Sequence, residues 1–325
     1  MNVLAVGSSL IDFFVRIEDN DQIEINDNKV SLPLGAKIPI DIKSLSLGGN
    51  STNVASALAN LSINTSLYTY LGNDPLSKHI REKMEEKNIE LIIDETDTTT
   101  GSLSLIFDFP TDRIIFSHHN LSDYNFEPAK ISQRPDFIFL TSIGNKWEDA
   151  YEKVISYANE NNIPVAFSPG SQQLKSMNET FIKTVKAAKV LMCNMDEAKL
   201  INEALGGSST ENPKELLLKL KDGGIEILSI TAGANGSYAV DKDSNVYKIN
   251  AIKLEGSEKT GAGDAYAGAF LAAFLYGKPI EEALKWGVLN AVGEMKQIGA
   301  GTGQLTLEQI EQETAGNQQL NVEKI

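Results

Sequence analysis

The chain is poor in the side chains that form disulfides and metal clusters. Its 325 residues include one cysteine, Cys193, and three histidines, His79, His118 and His119. A single cysteine excludes an intramolecular disulfide framework and a cysteine-based zinc module, and three histidines leave little room for a histidine-rich metal site. Because Cys193 follows an apolar run and has no flanking base, it is typical of a small core residue.

Positive charge is also scarce, since 29 Lys and Arg residues face 44 Asp and Glu residues, for a net charge of −15. Contacts to nucleic acid or anionic lipid need clustered basic side chains, so neither is an expected partner. No apolar run reaches the roughly 18 residues of a membrane-spanning helix. Met1-Asn2 leads directly into the apolar run Val3–Val6, without the basic region and cleavage site of a signal peptide. The sequence predicts a soluble, cytoplasmic protein.

Short apolar runs alternate with helical patterns along most of the chain. Runs rich in β-branched or aromatic residues are typical of buried parallel strands. Asp74-Pro75 opens one of the intervening helices, with an N-cap and a proline at the first helical position. This alternation predicts an α/β fold with a doubly wound, mostly parallel central sheet and helices on both faces. The predicted strands lie at residues 3–6, 137–140, 165–167, 190–192 and 227–230.

Two segments interrupt this alternation. Residues 12–47 contain short apolar pieces without a helical period, and residues 101–119 are typical of a hairpin that turns at Pro110-Thr111-Asp112. We expect both segments to form a small antiparallel β lid, or an edge extension of the main sheet. After about Thr306 the polar sequence predicts a surface helix and a frayed tail. The main α/β domain is expected to comprise residues 1–11, 48–100 and 120–325.

The strongest chemical motif runs from Glu258 through Lys259-Thr260-Gly261-Ala262-Gly263-Asp264 into an apolar helix. Gly261–Gly263 occupy the turn before this helix, where backbone N–H groups are unpaired and the helix dipole is positive, so they form an anion site. Asp264 follows in the first helical turn. An acid there could simply complement the dipole, but beside an anion site it can also take the proton of a bound hydroxyl. Phosphoryl transfer requires this combination of charge stabilisation and a positioned base.

Two glycines also stand at the entrance of an earlier helix, in Gly48-Gly49-Asn50-Ser51-Thr52-Asn53. Glycines permit close approach of a ligand to the backbone, and Asn53 falls within the first turns of the helix. Alternatively, this is an ordinary glycine turn in which Asn50 or Ser51 caps the helix.

Polar groups follow two further predicted strands, at the position where ligands of α/β proteins bind. Asn194 and Glu197 are three residues apart and share a face if a helix starts there, although the acid could equally serve the helix dipole. Residues 231–236 form a glycine-bearing loop after the next strand, or simply a hairpin into Ser237–Val240. The sequence contains no Walker A, dinucleotide-binding, serine-hydrolase or zinc-protease motif.

Together these residues resemble the ribokinase-like (PfkB) family of carbohydrate kinases over nearly the whole chain. Thr260-Gly261-Ala262-Gly263-Asp264 matches the family's C-terminal signature, and Gly48-Gly49 with Asn53 matches its N-terminal signature. Asn194 and Glu197 match the family's N-x-x-E motif. The resemblance implies an enzyme that uses ATP and Mg²⁺ to phosphorylate a hydroxymethyl group of a sugar or nucleoside.

The resemblance also implies a role for each matching residue. Asp264 is the expected general base, and the backbone N–H groups of Gly261, Ala262 and Gly263 are expected to hold the transferring phosphoryl group. Glu197 is expected to bind Mg²⁺ through water. The implied acceptor-binding residues are Asp12, Gly48, Gly49 and Asn53. The implied nucleotide-binding residues are Asn194, Thr231, Gly233, Gly236 and Asn290, the last beside Gly299-Ala300 at the adenine pocket.

One position departs from the family pattern. Many members have an Asp-Thr-Thr run where this chain has Glu258-Lys259-Thr260, and in potassium-activated members the acid helps to bind a monovalent cation. The longer Glu258 side chain and the neighbouring lysine argue against that cation site. We hypothesise that Lys259 replaces the cation electrostatically.

Two alternatives concern the ligand and the activity. A phosphosugar acceptor needs basic residues at the substrate end, but Lys29, Lys37, Lys43 and Arg113 are scattered, which favours a neutral acceptor. A non-catalytic nucleotide or sugar sensor on the same fold needs no base, and Asp264 argues against it. In the family the lid is often shared in a dimer interface, and an exposed apolar lid favours a homodimer.

Overall fold

The structure of the protein is a computed structural model that describes residues 1–17, 23–26, 29–95, 101–109, 113–119, 124–144, 146–254, 259–317 and 319–325. The expected turn at Pro110-Thr111-Asp112 and the side chain of Glu258 lie outside these residues. The described residues form a ten-stranded sheet, a four-stranded sheet and a two-stranded hairpin, with helices packed around the largest sheet.

The elements are named in chain order. The strands are β1 Asn2–Val6, β2 Leu10–Ile17, β3 Glu24–Asn26, β4 Lys29–Ser31, β5 Ile40–Gly48, β6 Asn64–Leu71, β7 Glu90–Glu95, β8 Leu103–Asp108, β9 Arg113–His118, β10 Phe137–Leu140, β11 Val165–Phe167, β12 Val190–Asn194, β13 Ile227–Thr231, β14 Ser237–Val240, β15 Val246–Ile249 and β16 Val322–Lys324. The helices are α1 Asn50–Asn60, α2 Pro75–Glu86, α3 Trp147–Glu160, α4 Ser171–Ser176, α5 Glu179–Ala187, α6 Met195–Ala204, α7 Pro213–Asp222, α8 Ala262–Leu275, α9 Ile280–Met295 and α10 Leu307–Gly316.

The central sheet has the strand order β16-β15-β14-β13-β12-β11-β10-β1-β6-β7. Seven neighbouring strands of this sheet are parallel, namely β13, β12, β11, β10, β1, β6 and β7. Strands β14, β15 and β16 are antiparallel additions at one edge. Successive side chains of a strand point to opposite faces, so the buried strands carry two cores. Leu4 packs with α3, α5, α6 and α7 on one face, and Val3 packs with α1, α8 and α9 on the other. The predicted doubly wound α/β fold is confirmed.

The four-stranded sheet has the order β5-β2-β8-β9 and is called the lid here. Its β2–β5 and β8–β9 pairs are antiparallel, as predicted, whereas β2 and β8 run parallel. The parallel pair arises because both strands begin at the body of the protein: the N–H of Ile11 donates to the carbonyl of Ser102 at 3.2 Å. Both strands then run outward side by side.

The C-terminal tail differs from the prediction. Helix α10 forms as expected, with a capping box between Thr306 and Gln309. The residues after it do not fray, because β16 pairs with the edge strand β15 and Leu320 is buried in the core. Strand β15 would otherwise leave a row of unpaired backbone groups at the sheet edge, which makes this pairing favourable.

Helices α1 and α8 pack unusually closely. Helix α8 is buried from Ala265 to Ala273, so it is a central helix rather than an amphipathic surface helix. A Cβ atom at Gly268 would lie 2.5 Å from the Cβ atom of Ala57, so only glycine permits this spacing. None of the described helices, α8 included, is long and apolar enough to cross a membrane.

Replacing Gly268 by alanine should destabilise the protein, because the added methyl group would collide with α1. We expect the free energy of unfolding to fall by about 1–3 kcal/mol, although alanine is intrinsically the better helix former. Gly316→Ala is the matched control, since a Cβ atom at this helical glycine meets nothing within 4 Å. Urea denaturation measures both variants, and equal stability of the two would contradict the close helix contact.

Candidate active site

The turn that enters α8 presents backbone N–H groups to open space. Gly261 is the N-cap with a φ of 80°, and no side chain caps the helix. The N–H of Ala262 donates to the carbonyl of Lys259 at 3.3 Å, whereas those of Gly261 and Gly263 have no acceptor among the described residues. A Cβ atom at Gly263 would meet nothing within 4 Å. The turn is therefore an anion nest in which two of the three expected amides have no acceptor in the part of the chain that the structure describes.

The carboxylate of Asp264 lies beside this nest and is held by two amides from α1. Its Oδ1 accepts from Nδ2 of Asn50 and its Oδ2 from Nδ2 of Asn53, both at 2.9 Å. Burial raises the pKa of Asp264 to about 6, although the two hydrogen bonds favour the charged form and oppose the rise. Asp264 retains some exposure to the cavity in front of it. A carboxyl group with this pKa is mostly ionised at neutral pH and can accept a proton.

The predicted acceptor-binding residues meet where β5 passes into α1. Asp12 is 5% exposed, and its carboxylate rests so closely on the backbone of Gly48 that a side chain at Gly48 would collide with it. Gly49 caps α1 with a φ of 92°, and a side chain there would collide with the carbonyl of Ser8. The side-chain amide of Asn53 connects this cluster to Asp264 by its hydrogen bond to the carboxylate. The structure thus brings the N-terminal motif next to the nest.

The polar residues after β12 and β13 lie on the other side of Asp264. Asn194 and Thr231 are neighbours in register at the carboxyl ends of these parallel strands. Asn194 and Glu197 form a capping box at the start of α6, each side chain accepting from the other residue's N–H at 2.9 Å. Burial raises the pKa of Glu197, and the nearby carboxylates of Asp264 and Asp196 act in the same direction.

One cavity connects these groups. Its wall contains the nest glycine Gly263, the carboxyl group of Asp264 and the polar ends of β12 and β13, together with the loop after β11. Neither Lys nor Arg occurs among the described residues that line it. They are Asn50, Ser168, Pro169, Met192, Cys193, Asn194, Glu197, Ser229, Thr231, Gly263, Asp264, Tyr266 and Ala267.

Three expected nucleotide-binding residues lie outside this wall. Gly233 is exposed in the turn of the β13–β14 hairpin, and Gly236 is buried where a side chain would collide with the carbonyl of Ile249. Asn290 is fully buried, its Nδ2 donating to the carbonyl of Ala265 and its Oδ1 accepting from the N–H of Leu305. The polar atoms of Asn290 therefore connect α8 to the segment that contains Leu305. They face protein backbone and not an open pocket.

Asn50 is the site residue that the sequence motifs do not identify. The sequence offers Asn50 as an N-cap, but Gly49 takes that place, and the Asn50 side chain instead reaches Asp264. The useful signal is the spacing of Asn50 and Asn53, which puts both amides on one face of the first helical turn. Lys259 is exposed, and its proposed replacement of a monovalent cation stays a prediction.

Known proteins resemble the chain over most of its length. The model of the pfkB family carbohydrate kinases matches residues 24–306. A 5-dehydro-2-deoxygluconokinase of Bacillus subtilis (strain 168) is 25% identical over 284 residues, which cover 82% of this chain and 86% of that protein. The ribokinase from Thermotoga maritima has a TM-score of 0.75 at 22% identity, covering 97% of this chain and 99% of that one. A putative ribokinase II from E. coli, in complex with ATP and Mg²⁺, has a TM-score of 0.80 at 14% identity and the same coverage.

The fold and the site together indicate the class of protein. An open anion nest beside a carboxyl group, at the carboxyl ends of parallel strands, suits the transfer of a phosphoryl group. The match over residues 24–306 then identifies the family, because it includes most of the chain. The chain belongs to the pfkB family of carbohydrate kinases, and the enzyme is a carbohydrate kinase.

Asn50→Ala should change the pH dependence of phosphoryl transfer. The Asn50 amide stabilises the ionised form of Asp264, so its removal should raise the pKa of Asp264 above about 6. The acid limb of kcat/KM should then move to higher pH by about one unit, the size expected for a hydrogen bond to a charged group. Asn60→Ala, at the other end of α1, is the control. An unmoved acid limb in Asn50→Ala would argue against Asp264 as the titrating base.

Proposed function

We propose that the enzyme transfers the γ-phosphoryl group of ATP to a hydroxymethyl group of a neutral sugar or nucleoside. The observation that carries this proposal is the position of Asp264, which faces a cavity beside the unpaired amide of Gly263 while Asn50 and Asn53 hold its carboxylate. A base and an anion nest on adjacent residues can act on the two reacting groups of one displacement. The base takes the proton of the acceptor hydroxyl, and the nest stabilises the charge of the phosphoryl group.

The reaction follows from this geometry. The acceptor lies against Asp12, Gly48 and Asn53, and its hydroxyl proton passes to the carboxylate of Asp264. The hydroxyl oxygen forms a bond to the γ-phosphorus as the bond to the bridging oxygen of ATP breaks, which releases ADP. The N–H groups of Gly261 and Gly263 stabilise the negative charge on the transferring group, because they lie at the start of α8 and have no acceptor among the described residues. The N–H of Ala262, which contacts Lys259, contributes less.

Glu197 fits the expected role in magnesium binding. Mg²⁺ is usually held by one or two carboxylates together with substrate phosphates and water, so a dense ligand cluster is not required. The Glu197 carboxyl lies at the same cavity as Asp264, and each carboxylate disfavours ionisation of the other. A bound cation would relieve this repulsion and would neutralise charge on the ATP phosphates. Asn194 and Thr231 are placed beside it to face those phosphates.

The charge of the acceptor side bears on the acceptor. The proposed acceptor-binding residues Asp12, Gly48, Gly49 and Asn53 include a carboxyl group and no basic side chain, which disfavours an acceptor that already carries a phosphate. The name of the curated relatives specifies an acceptor derived from gluconate, which carries a carboxylate. An identity of 25% does not transfer that acceptor to this chain. The absence of a basic side chain among these four acceptor-binding residues favours a neutral sugar or nucleoside over this acid.

An acceptor screen with ATP and Mg²⁺ tests the proposed function. Neutral sugars and nucleosides should be phosphorylated faster than phosphosugars and sugar acids, as measured by ADP release and by mass of the product. Preferred turnover of a sugar acid or phosphosugar would contradict the neutral acceptor, and turnover of none would contradict the kinase.

Asp264→Asn separates a kinase from a sensor. The amide keeps the shape of the side chain but cannot accept the proton, so kcat should fall by about 10²–10⁴-fold. Nucleotide affinity should stay within a few-fold, measured by calorimetry. Ser168→Ala, a change of another polar group in the cavity lining, is the control and should retain most of the turnover. A variant with normal turnover would show that Asp264 is not the base.

The lid carries an apolar face that suits a second copy of the chain. Ile40, Ile42 and Leu45 on β5 are each about half exposed or more. They pair with Ile17, Val15 and Phe13 of β2 and so share one face. Alternation along β2 puts Asp12 on the opposite face, toward the site. We propose that two chains pair through this apolar lid face.

Phe116→Glu should therefore dissociate the dimer. Phe116 is 58% exposed and belongs to the same lid face, since it pairs with Leu105, which pairs in turn with Phe13. Ile115→Glu is the matched control, because Ile115 is the next residue, is 47% exposed and points to the other face. Sedimentation should give a dimer for the wild type and Ile115→Glu and a monomer for Phe116→Glu. A monomeric wild type would refute the proposed pairing.

A further inference from the structure

Glu294, in the last turn of α9, is a buried carboxyl group that the proposed reaction does not use. The residue is 1% exposed. A buried carboxylate is costly unless it accepts hydrogen bonds, and both oxygens of Glu294 do so. Oε1 accepts from the N–H of Gly301, and Oε2 accepts from the N–H of Gly303 at 3.2 Å. Glu294 therefore holds the loop that follows its own helix.

This loop, residues 299–303, lies between the nest and the acceptor side of the site. A Cβ atom at Gly261 would lie 2.9 Å from Oε1 of Glu294 and 3.1 Å from the Cβ atom of Ala300. On the other side, a Cβ atom at Gly299 would lie 3.2 Å from Oγ of Ser46 on β5 of the lid. The carboxyl group thus lies where the nest turn meets the loop, and the first residue of the loop contacts the lid strand.

The loop also connects to the helix that holds the base. Gln304, directly after the loop, donates from Nε2 to the carbonyl of Asn53 at 2.9 Å. Asn53 in turn donates to Asp264. A displacement of the loop would therefore reach the nest through Gly261 and the base through Asn53.

Two charged groups on other elements act on Glu294. Burial raises the pKa of Glu294 to about 7, and the carboxylate of Asp264 on α8 acts in the same direction. The N–H groups of Gly301 and Gly303 and the ammonium of Lys87, after α2, favour the charged form. Because the repulsion between two carboxylates is mutual, an ionised Glu294 also opposes ionisation of Asp264.

We propose that Glu294 is a positioning residue for phosphoryl transfer, whose carboxyl group holds the 299–303 loop against Gly261 and thereby fixes the direction of the nest amides. The proposal rests on the function proposed above. It differs from a purely structural role because the clamped loop touches the turn that stabilises the transferring group. A nest that is misdirected by a fraction of an ångström loses charge stabilisation in the transition state.

Glu294→Gln is the direct test. Glutamine has nearly the same shape but one side-chain oxygen, so one of the two loop amides loses its acceptor. We expect kcat to fall at least about tenfold while KM for ATP and acceptor changes less than about threefold, the pattern of a transition-state interaction. Asp241→Asn is the matched control. Its carboxylate also accepts from two backbone amides, of Asp243 and Asn245, but in the β14–β15 turn at the opposite end of the sheet.

The pH profile distinguishes positioning of the nest from a change in the base. With a pKa of about 7, Glu294 is already mostly protonated where Asp264 titrates near 6, so Glu294→Gln should lower kcat and leave the acid limb of kcat/KM close to that of the wild type. Asn50→Ala should instead move the acid limb. Asp241→Asn should lose stability without a change in kcat or in the acid limb. A Glu294→Gln enzyme with the kcat of the wild type would overturn the proposal.

Amide hydrogen exchange tests the same clamp without any acceptor. The peptide that covers residues 259–266 should exchange at least about tenfold faster in Glu294→Gln than in the wild type and Asp241→Asn. Unchanged exchange would overturn the proposal, whereas a wild type that phosphorylates no acceptor would overturn only the proposed function. If Glu294→Gln does not fold, Glu294→Asp keeps both oxygens on a shorter side chain. If Glu294→Asp had the exchange rate and the kcat of the wild type, this result would also overturn the proposal.

Discussion

The close contact of α1 and α8 is the constraint on which the site depends. Asp264, the proposed base, comes from α8 and both of the amides that hold it come from α1, so their 2.9 Å hydrogen bonds exist only at this helix spacing. Gly268 permits the spacing because it leaves room for Ala57. Packed interiors do not deform continuously, so a wider spacing would separate Asp264 from its partners and from the acceptor side together.

Features that depend on local chemistry could be predicted from the sequence. Short apolar runs identified five of the parallel strands, because a buried strand needs apolar residues on both faces. The glycine motifs at residues 48–49 and 261–263 were also visible, because positive φ angles and close backbone contacts require glycine. These patterns were sufficient for the fold class, the lid sheet and the position of the nest.

Features that depend on distant partners could not be predicted in this way. Asn50 differs from an ordinary helix-capping residue only because Asp264, 214 positions later, lies opposite it. Glu294 has the sequence context of a surface helix end, and its burial follows from a loop that folds back over it. The direction of β8 beside β2 and the pairing of β16 with β15 likewise depend on where remote segments leave the main sheet.

The electrostatics of the site explain how its carboxyl groups are compatible with the binding of a negatively charged ligand. The site must hold a polyanion, yet Asp264, Glu197 and Glu294 lie near one another, and no basic residue is found in the described cavity lining. Backbone amides at the start of α8 supply the positive potential instead, and they bring no mobile charge that would neutralise the base. Burial keeps the pKa of Asp264 near 6, against the two amide hydrogen bonds that lower it, and so closer to neutrality than that of an ordinary aspartate. The Asp264 carboxylate is therefore a stronger base than an exposed carboxylate, and it gains this strength from its burial.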